Sequence, residues 1–278
     1  MPEKIFVPPI KIQGIKTKLI PVIKQHVSLS KKTLWIEPFM GSGAVGFNIR
    51  PEYAIFADIN PHIINFYAAL KKGRITSDIV RAFLQENGRM LAEHGGDFYY
   101  AVRERFNASH SPLDFLFLNR SCFNGMIRFS RKQKFNVPYG HKPMRFSRAY
   151  ITKIVNQVKY VEDCLRVYDW EFICQPFENT INISEKDTFI YCDPPYTGRH
   201  TDYYDTWDEC SELKLCSCLK KSEARFMLST WDYNQYRKNE YINTVWNFCR
   251  KINWEHFYYI GAKENNRHSI IEALMVNY

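Results

Sequence analysis

The chain of 278 residues contains no apolar run close to the roughly 20 residues that a membrane-spanning helix needs. Its polar start, MPEKIFVPP, lacks the long apolar core of a signal peptide. CxxC spacing is also missing among the eight cysteines, Cys122, Cys164, Cys174, Cys192, Cys210, Cys216, Cys218 and Cys249. This argues against a zinc site and, in so long a chain, against a disulfide framework, and favours reduced thiols in a soluble cytoplasmic protein. There is no internal repeat and no low-complexity tract. The length suits one large domain or a domain carrying an inserted module.

The most informative absence is of acid. Between Phe115 and Val161 no Asp or Glu occurs, while ten cations do: Arg120, Arg128, Arg131, Lys132, Lys134, Lys142, Arg145, Arg148, Lys153 and Lys159. They outnumber the net charge of the whole chain, +9, so the remainder is nearly neutral. Phe123, Phe129, Phe135, Tyr139 and Phe146 interleave with them. A soluble basic face would mix both signs; one acid-free aromatic segment carrying the entire excess is an electrostatic footprint for nucleic acid. Inside it, Asn124-Gly125 signals a tight turn, and the run to Pro138 suits a short strand, so a basic hairpin or looped ribbon is expected.

Before this segment, Thr33–Ile36 reads as a buried strand, followed by the glycine turn Gly41-Ser42-Gly43-Ala44-Val45-Gly46 and a helix. A second strand, Tyr53–Ala57, ends at Asp58, where a carboxylate can hold ribose hydroxyls. The same glycines fit a dinucleotide fingerprint. Against it, the acid comes early after the glycines and no hydride-transfer site follows. Glu37, just before the turn, would repel a pyrophosphate yet tolerate an ammonium or sulfonium.

Further on, the strand-like Thr188–Cys192 runs into Asp193-Pro194-Pro195-Tyr196. Two prolines end the strand and turn an acid, a carbonyl and a ring outward. An ordinary strand-ending turn would use the same residues. The set also suits a flat amino-bearing base: Asp193 and the Pro194 carbonyl each accept one amino hydrogen while Tyr196 stacks. Helices are expected at Pro61–Leu70, Asp78–Leu91, Phe98–Arg105, Pro112–Leu118, Ile151–Leu165 and Glu212–Lys221. Strands are expected at Phe172–Cys174, Ala224–Thr230, Glu255–Ile260 and Glu272–Tyr278, and a mobile loop at Thr197–Asp208.

Taken in order, Lys11-x-x-Gly14-x-Lys16, Phe39-Met40-Gly41-Ser42-Gly43, Asp58, the block from Asn119-Arg120 through Phe123-Asn124-Gly125 and Arg128 to Phe135-Asn136-Val137-Pro138-Tyr139-Gly140, and Asp193-Pro194-Pro195-Tyr196 resemble the Dam-like (D12 class, alpha group) DNA adenine-N6 methyltransferases. The resemblance spans nearly the whole chain, and Asn119 to Gly140 is its most specific part. It implies an α/β, Rossmann-like sheet with helices on both faces, S-adenosylmethionine as cofactor, no metal, and methyl transfer to N6 of an adenine flipped from duplex DNA. The expected division is a cofactor-binding and catalytic domain at 1–72 and 160–278, with an inserted target-recognition domain at 73–159. Monomeric action on double-stranded DNA, with or without a paired restriction endonuclease, belongs to the same expectation.

By position, the resemblance puts Ile12, Lys16, Glu37, Phe39, Gly41, Gly43, Asp58, Phe177 and Asp193 at the cofactor, and Asp193, Pro194, Pro195 and Tyr196 at the reacting amino group. Phe123 matches an aromatic inserted into the base stack and Asn124 its neighbour. Arg128 matches a guanine reader, Pro138 a groove contact and Lys11 a lysine near the target; Arg120 and Lys134 join the DNA-binding set. Two departures stand out. Ile12 replaces the usual aromatic, and Pro176-Phe177 replaces an Asp-Phe pair whose Asp would bond the cofactor's adenine amino group, leaving Gln175 or Glu178 as substitutes. Cytosine-C5 chemistry needs a Cys nucleophile, usually in a Pro-Cys pair, which the chain lacks. Transfer to cytosine N4, and a catalytically weak or inactive DNA-binding protein on the same fold, are the competing readings.

Overall fold

The computed structural model describes residues 4–196, 207–233, 236–259 and 267–278, with backbone only at 256–259 and 267–270. Most of the expected mobile loop, residues 197–206, therefore lies outside the described residues.

Among the described residues seven strands form one sheet: β1 (Leu34–Glu37), β2 (Tyr53–Asp58), β3 (Asp169–Cys174), β4 (Thr188–Cys192), β5 (Arg225–Tyr233), β6 (Arg250–Tyr259) and β7 (Arg267–Val276), in the order β3-β2-β1-β4-β5-β7-β6. The first five run parallel; β7 returns antiparallel between β5 and β6. From β1 the chain winds outward through β2 to β3, then crosses to β4 on the other side of β1. A crevice opens beyond the carboxyl ends of strands at such a reversal, and ligands of open α/β sheets bind there.

The strands alternate cleanly between two cores. Trp35, Phe189 and Tyr191 face the first, and Ile36, Ile190 and Cys192 the second. On the second face pack α8 (Phe177–Asn182), α9 (Glu209–Lys221) and α10 (Tyr241–Thr244). On the first lie α1 (Ile20–His26), α2 (Ala44–Ile49) and α3 (Pro61–Lys71), together with α4 (Ser77–His94), α5 (Gly96–Ser109), α6 (Pro112–Ser121) and α7 (Arg148–Val167). Local chemistry marks the helix starts. Asn60 Oδ1 accepts from His62 N at 3.0 Å ahead of Pro61, Thr76 Oγ1 from Ile79 N at 3.2 Å, and Ser147 Oγ from Tyr150 N at 3.4 Å. Helix α7 runs unbroken through residue 159, bringing the core of α4–α6 into continuity with that of the sheet.

Three expectations change. The short strand ending at Pro138 is absent. Residues 122–139 form a looped ribbon tied by two isolated antiparallel bridges, Cys122 to Tyr139 and Phe129 to Phe135. Left-handed residues at Asn124 (φ 53°), Gly125 (φ 68°) and Gln133 (φ 59°) interrupt a ladder. Strand β5 continues through Trp231-Asp232 rather than stopping before them. Strands β6 and β7 start earlier than expected, since pairing with each other extends them beyond their most apolar residues.

Candidate active site

The crevice at the reversal is a cavity of about 800 Å³. Its floor comes from the ends of β1 and β4, its walls from Ile12–Lys16, Asp58–Asn60 and Phe177–Glu178, and its rim from Met126, Ile127, Trp207 and Lys214.

The turn after β1 is shaped by close packing. Gly43 has φ 77°, and a Cβ there would stand 2.6 Å from the Phe47 ring. At Gly46 a Cβ would fall 2.1 Å from Phe56 Cε1 and 2.7 Å from Glu37 Oε2. Only glycine lets the start of α2 lie this close to the sheet. Gly41 N donates to Asp58 Oδ2 and Asn60 N to Asp58 Oδ1, each at 2.8 Å. Asp58, a residue of the cleft lining, thus ties the glycine turn to β2, and each oxygen retains further acceptor capacity. Ile12 Cδ1 packs 3.3 Å from where a Cβ on Gly41 would stand.

Glu37 is 2% exposed. Its Oε2 accepts from Trp35 Nε1 at 3.2 Å and Gly46 N at 3.1 Å. Burial nevertheless pushes its carboxyl up to about 8, and the negative Asp193 and Asp58 add to that push. Burial therefore opposes the negative charge read for Glu37 from the sequence, while the Trp35 and Gly46 donors favour it.

At the end of β4, Lys16 Nζ lies 2.8 Å from Asp193 Oδ1, donates to Gly14 O at 3.1 Å, and sits 4.9 Å from the Tyr196 ring centroid. Burial by itself lowers the Lys16 ammonium; Asp193 foremost, with Tyr196, Tyr191 and Glu272, outweighs this and holds it well above the ordinary lysine value. Burial likewise raises Asp193 against the opposing pull of Lys16. Tyr196 OH donates to Glu272 Oε1 at 3.3 Å, and Glu272 is 2% exposed. Sequence reasoning missed Glu272; a lone acid inside the apolar run Ile270-Ile271-Glu272-Ala273-Leu274 was the available signal. Phe39 and Phe177 stack with centroids 5.3 Å apart, and Trp207 meets Phe39 edge-on at 5.5 Å.

The basic ribbon borders the same cleft through Met126 and Ile127. Phe123 is half exposed, Asn124 and Pro138 are exposed, and the Pro138 carbonyl accepts from Phe123 N at 2.9 Å. Arg128 is aimed by Asn136, whose Oδ1 takes Nε at 2.8 Å and whose carbonyl takes Nη2 at 3.2 Å. Asn136 belongs to the block that carries the resemblance, but the sequence assigned it no role of its own. Lys134 is exposed. Lys11 is held by reciprocal bonds to Asn119, Lys11 N to Oδ1 at 2.8 Å and Nδ2 to Lys11 O at 2.9 Å. Burial lowers its ammonium, and Arg145 and Arg120 add to this against the Tyr150 phenol.

Arg120 does not belong to the DNA-facing set. It is 3% exposed, and its donors go to Pro9 O at 2.7 Å, to Tyr150 OH at 3.3 Å and to Gln157 Oε1. A guanidinium so enclosed and so partnered ties three segments together, and its burial keeps it from a duplex.

The family model for D12 class N6 adenine-specific DNA methyltransferases matches residues 13–264. The DNA adenine methylase of Haemophilus influenzae is 37% identical over 68% of this chain, and the match spans 63% of that protein's length. That of Serratia marcescens is 31% identical over 80% of this chain and 83% of its own. The Type II methyltransferase M.MjaIII of Methanocaldococcus jannaschii is 30% identical over 82% and 84%. A match that takes in the glycine turn, the basic ribbon and Asp193-Pro194-Pro195-Tyr196 together places this chain in the D12 class of N6 adenine-specific DNA methyltransferases.

Proposed function

We propose that the chain transfers a methyl group from S-adenosylmethionine to N6 of an adenine swung out of duplex DNA. The observation that carries this reading is the meeting, in one cleft, of Asp193 and the Pro194 carbonyl with the β1 glycine turn and the edge of an acid-free ribbon. Residues 73–159 serve as the target-recognition unit, and 1–72 with 160–278 as the cofactor-binding and catalytic one. The reading carries with it monomeric action on double-stranded DNA and accommodates a paired restriction endonuclease.

The residues present fit the cofactor. Asp58 offers lone pairs to ribose, Phe39 and Phe177 offer ring faces, and the Gly41–Gly43 turn admits close approach. When bound, the cofactor supplies an already activated methyl group. The chain's own residues do the rest. Phe123 and the cations around it offset an unstacking cost of about a few kcal/mol. Lys16 favours the ionised form of Asp193 against the cost of burial, and Asp193 and the Pro194 carbonyl accept both N6 hydrogens. That draws the amino nitrogen towards tetrahedral geometry and stabilises its developing positive charge. Tyr196, fixed by Glu272, covers the ring face. Asp193 is a hydrogen-bond acceptor in this scheme, and alignment supplies much of the remaining rate.

Incubation with methyl-labelled cofactor and adenine-containing duplex tests the reading. Incorporation into adenine is expected, and Asp193→Ala abolishes it while cofactor binding persists. Tight DNA binding without incorporation by the intact chain would leave the inactive DNA-binding reading; label in cytosine would leave the N4 reading.

A further inference from the structure

Asn136 aims Arg128 across a ribbon that has little ladder of its own to hold that aim. Near Arg128 the two arms are joined by the Phe129 to Phe135 bridge, with Ser130 N donating to Lys134 O at 2.8 Å and Asn136 N to Arg128 O at 3.2 Å. Arg128 and Asn136 are the chain neighbours of the bridged pair, so whatever seats Phe129 and Phe135 sets where the guanidinium points. Two helices outside the ribbon supply that seat. From α5, Asn107 meets Phe135 as an edge strand would: its Oδ1 accepts from Phe135 N at 2.8 Å and its Nδ2 donates to Phe135 O at 3.3 Å. From the start of α3, the His62 ring lies flat on the Phe129 ring, with centroids 4.7 Å apart and planes at 15°. Phe106 and Phe115 close around His62 at 5.0 and 5.9 Å. Burial, with His110 adding to it, favours the neutral imidazole, and Nδ1 finds no hydrogen-bond partner among the described residues. What the ring offers Phe129 is a face. It is itself anchored: His62 N donates to Asn60 Oδ1 at 3.0 Å and Asn60 N to Asp58 Oδ1 at 2.8 Å, at the wall of the cleft.

We propose that Asn107 and His62 determine base specificity as positioning residues, fixing Arg128 against the duplex through Phe135 and Phe129. The inference rests on Arg128 as a base reader within the methyltransferase reading above. An arginine on an unseated ribbon keeps its charge and its attraction to phosphate, but it loses the fixed geometry that a bidentate base contact requires. Loss of either seat therefore erodes discrimination at one base pair rather than methyl transfer in general.

Methyl incorporation, measured as kcat/KM on the duplex that the intact chain prefers and on duplexes with one base pair changed around the target adenine, tests this. Arg128→Ala marks the position that Arg128 reads, by a roughly 10-fold or greater fall in preference there. Asn107→Ala and His62→Ala should each lower the preference at that same position by roughly 5-fold or more, and leave it within about twofold elsewhere. Neither should lower it further once Arg128→Ala is present, since both act through that side chain. His62→Phe keeps a ring face against Phe129 and should retain the preference. Should an alanine variant fail to fold in a thermal melt, Phe129→Leu, at a half-buried ribbon position, takes its place with the same expected loss. A purely structural role would depress kcat/KM on every duplex alike and leave the preference at its wild-type value, and that result overturns the assignment. So does a further loss in the Arg128→Ala background. If Arg128→Ala itself changes no preference, the base-reading role of Arg128 falls and this inference with it, while methyl transfer stands. Absence of incorporation by the intact chain sinks the methyltransferase reading together with both.

Discussion

Glu37 shows how one buried side chain ties the cleft to pH. Burial pushes its carboxyl up to about 8 in the folded chain, from an ordinary value of 4.5. A carboxyl raised on folding stabilises the fold fully below its unfolded value, and that contribution is lost as pH rises through its folded value. Between about pH 4.5 and 8 the wild type should therefore lose stability that Glu37→Gln retains, on the order of a few kcal/mol by pH 9. Paired urea melts at pH 6 and pH 9 check this. A gap between the two proteins that does not widen with pH would show Glu37 to be ionised throughout. Arg120 yields a second prediction of the same scale. Arg120→Ala should cost on the order of 3 kcal/mol in a denaturant melt, because it strands Pro9 O, Gln157 and Tyr150. The salt dependence of DNA binding should not move. Arg128→Ala should do the opposite, relaxing base discrimination by about 1–3 kcal/mol with little loss of stability. The sequence marked both arginines as cations of one segment. Only the packing of Pro9, Tyr150 and Gln157 around one, and the clamp of Asn136 on the other, separates them.

Among the elements, the strand-turn-helix from β1 to α2 is the most tightly determined. Gly46→Ala would drive a methyl group to within 2.1 Å of Phe56 and 2.7 Å of Glu37. It should cost about 1–3 kcal/mol and weaken cofactor binding together with stability, read by a melt and a titration on the same preparation. The ribbon behaves differently, because its course rests on few backbone bonds and on the conformations of Asn124, Gly125 and Gln133. Its Asn-Gly signal was legible as a turn, but no periodicity could say that the following run would stay unladdered. Strands β1, β2 and β4 were legible because burial on both faces leaves an unbroken apolar run between turn residues. The ends of β6 and β7 were not, since each is prolonged by its partner rather than by its own composition.

In the whole molecule, positive charge and the cleft share one edge. Exposed cations of the acid-free segment such as Lys134 should release counterions on binding a duplex, so Lys134→Gln should reduce the slope of log affinity against log salt by roughly 1. The order of the motifs, the charge asymmetry and the strand that breaks at Asp193 were readable along the chain because each is a local pattern. Local patterns report element type and surface charge. They do not report partners, because a partner is chosen by how remote segments pack. Lys16 meets Asp193, Tyr196 meets a Glu272 that stands 76 residues away, and Glu178 of α8 meets Lys214 of α9. Likewise, whether a cation faces a duplex or the core was decided by burial, and burial is a property of the assembled sheet and helices rather than of any stretch of sequence.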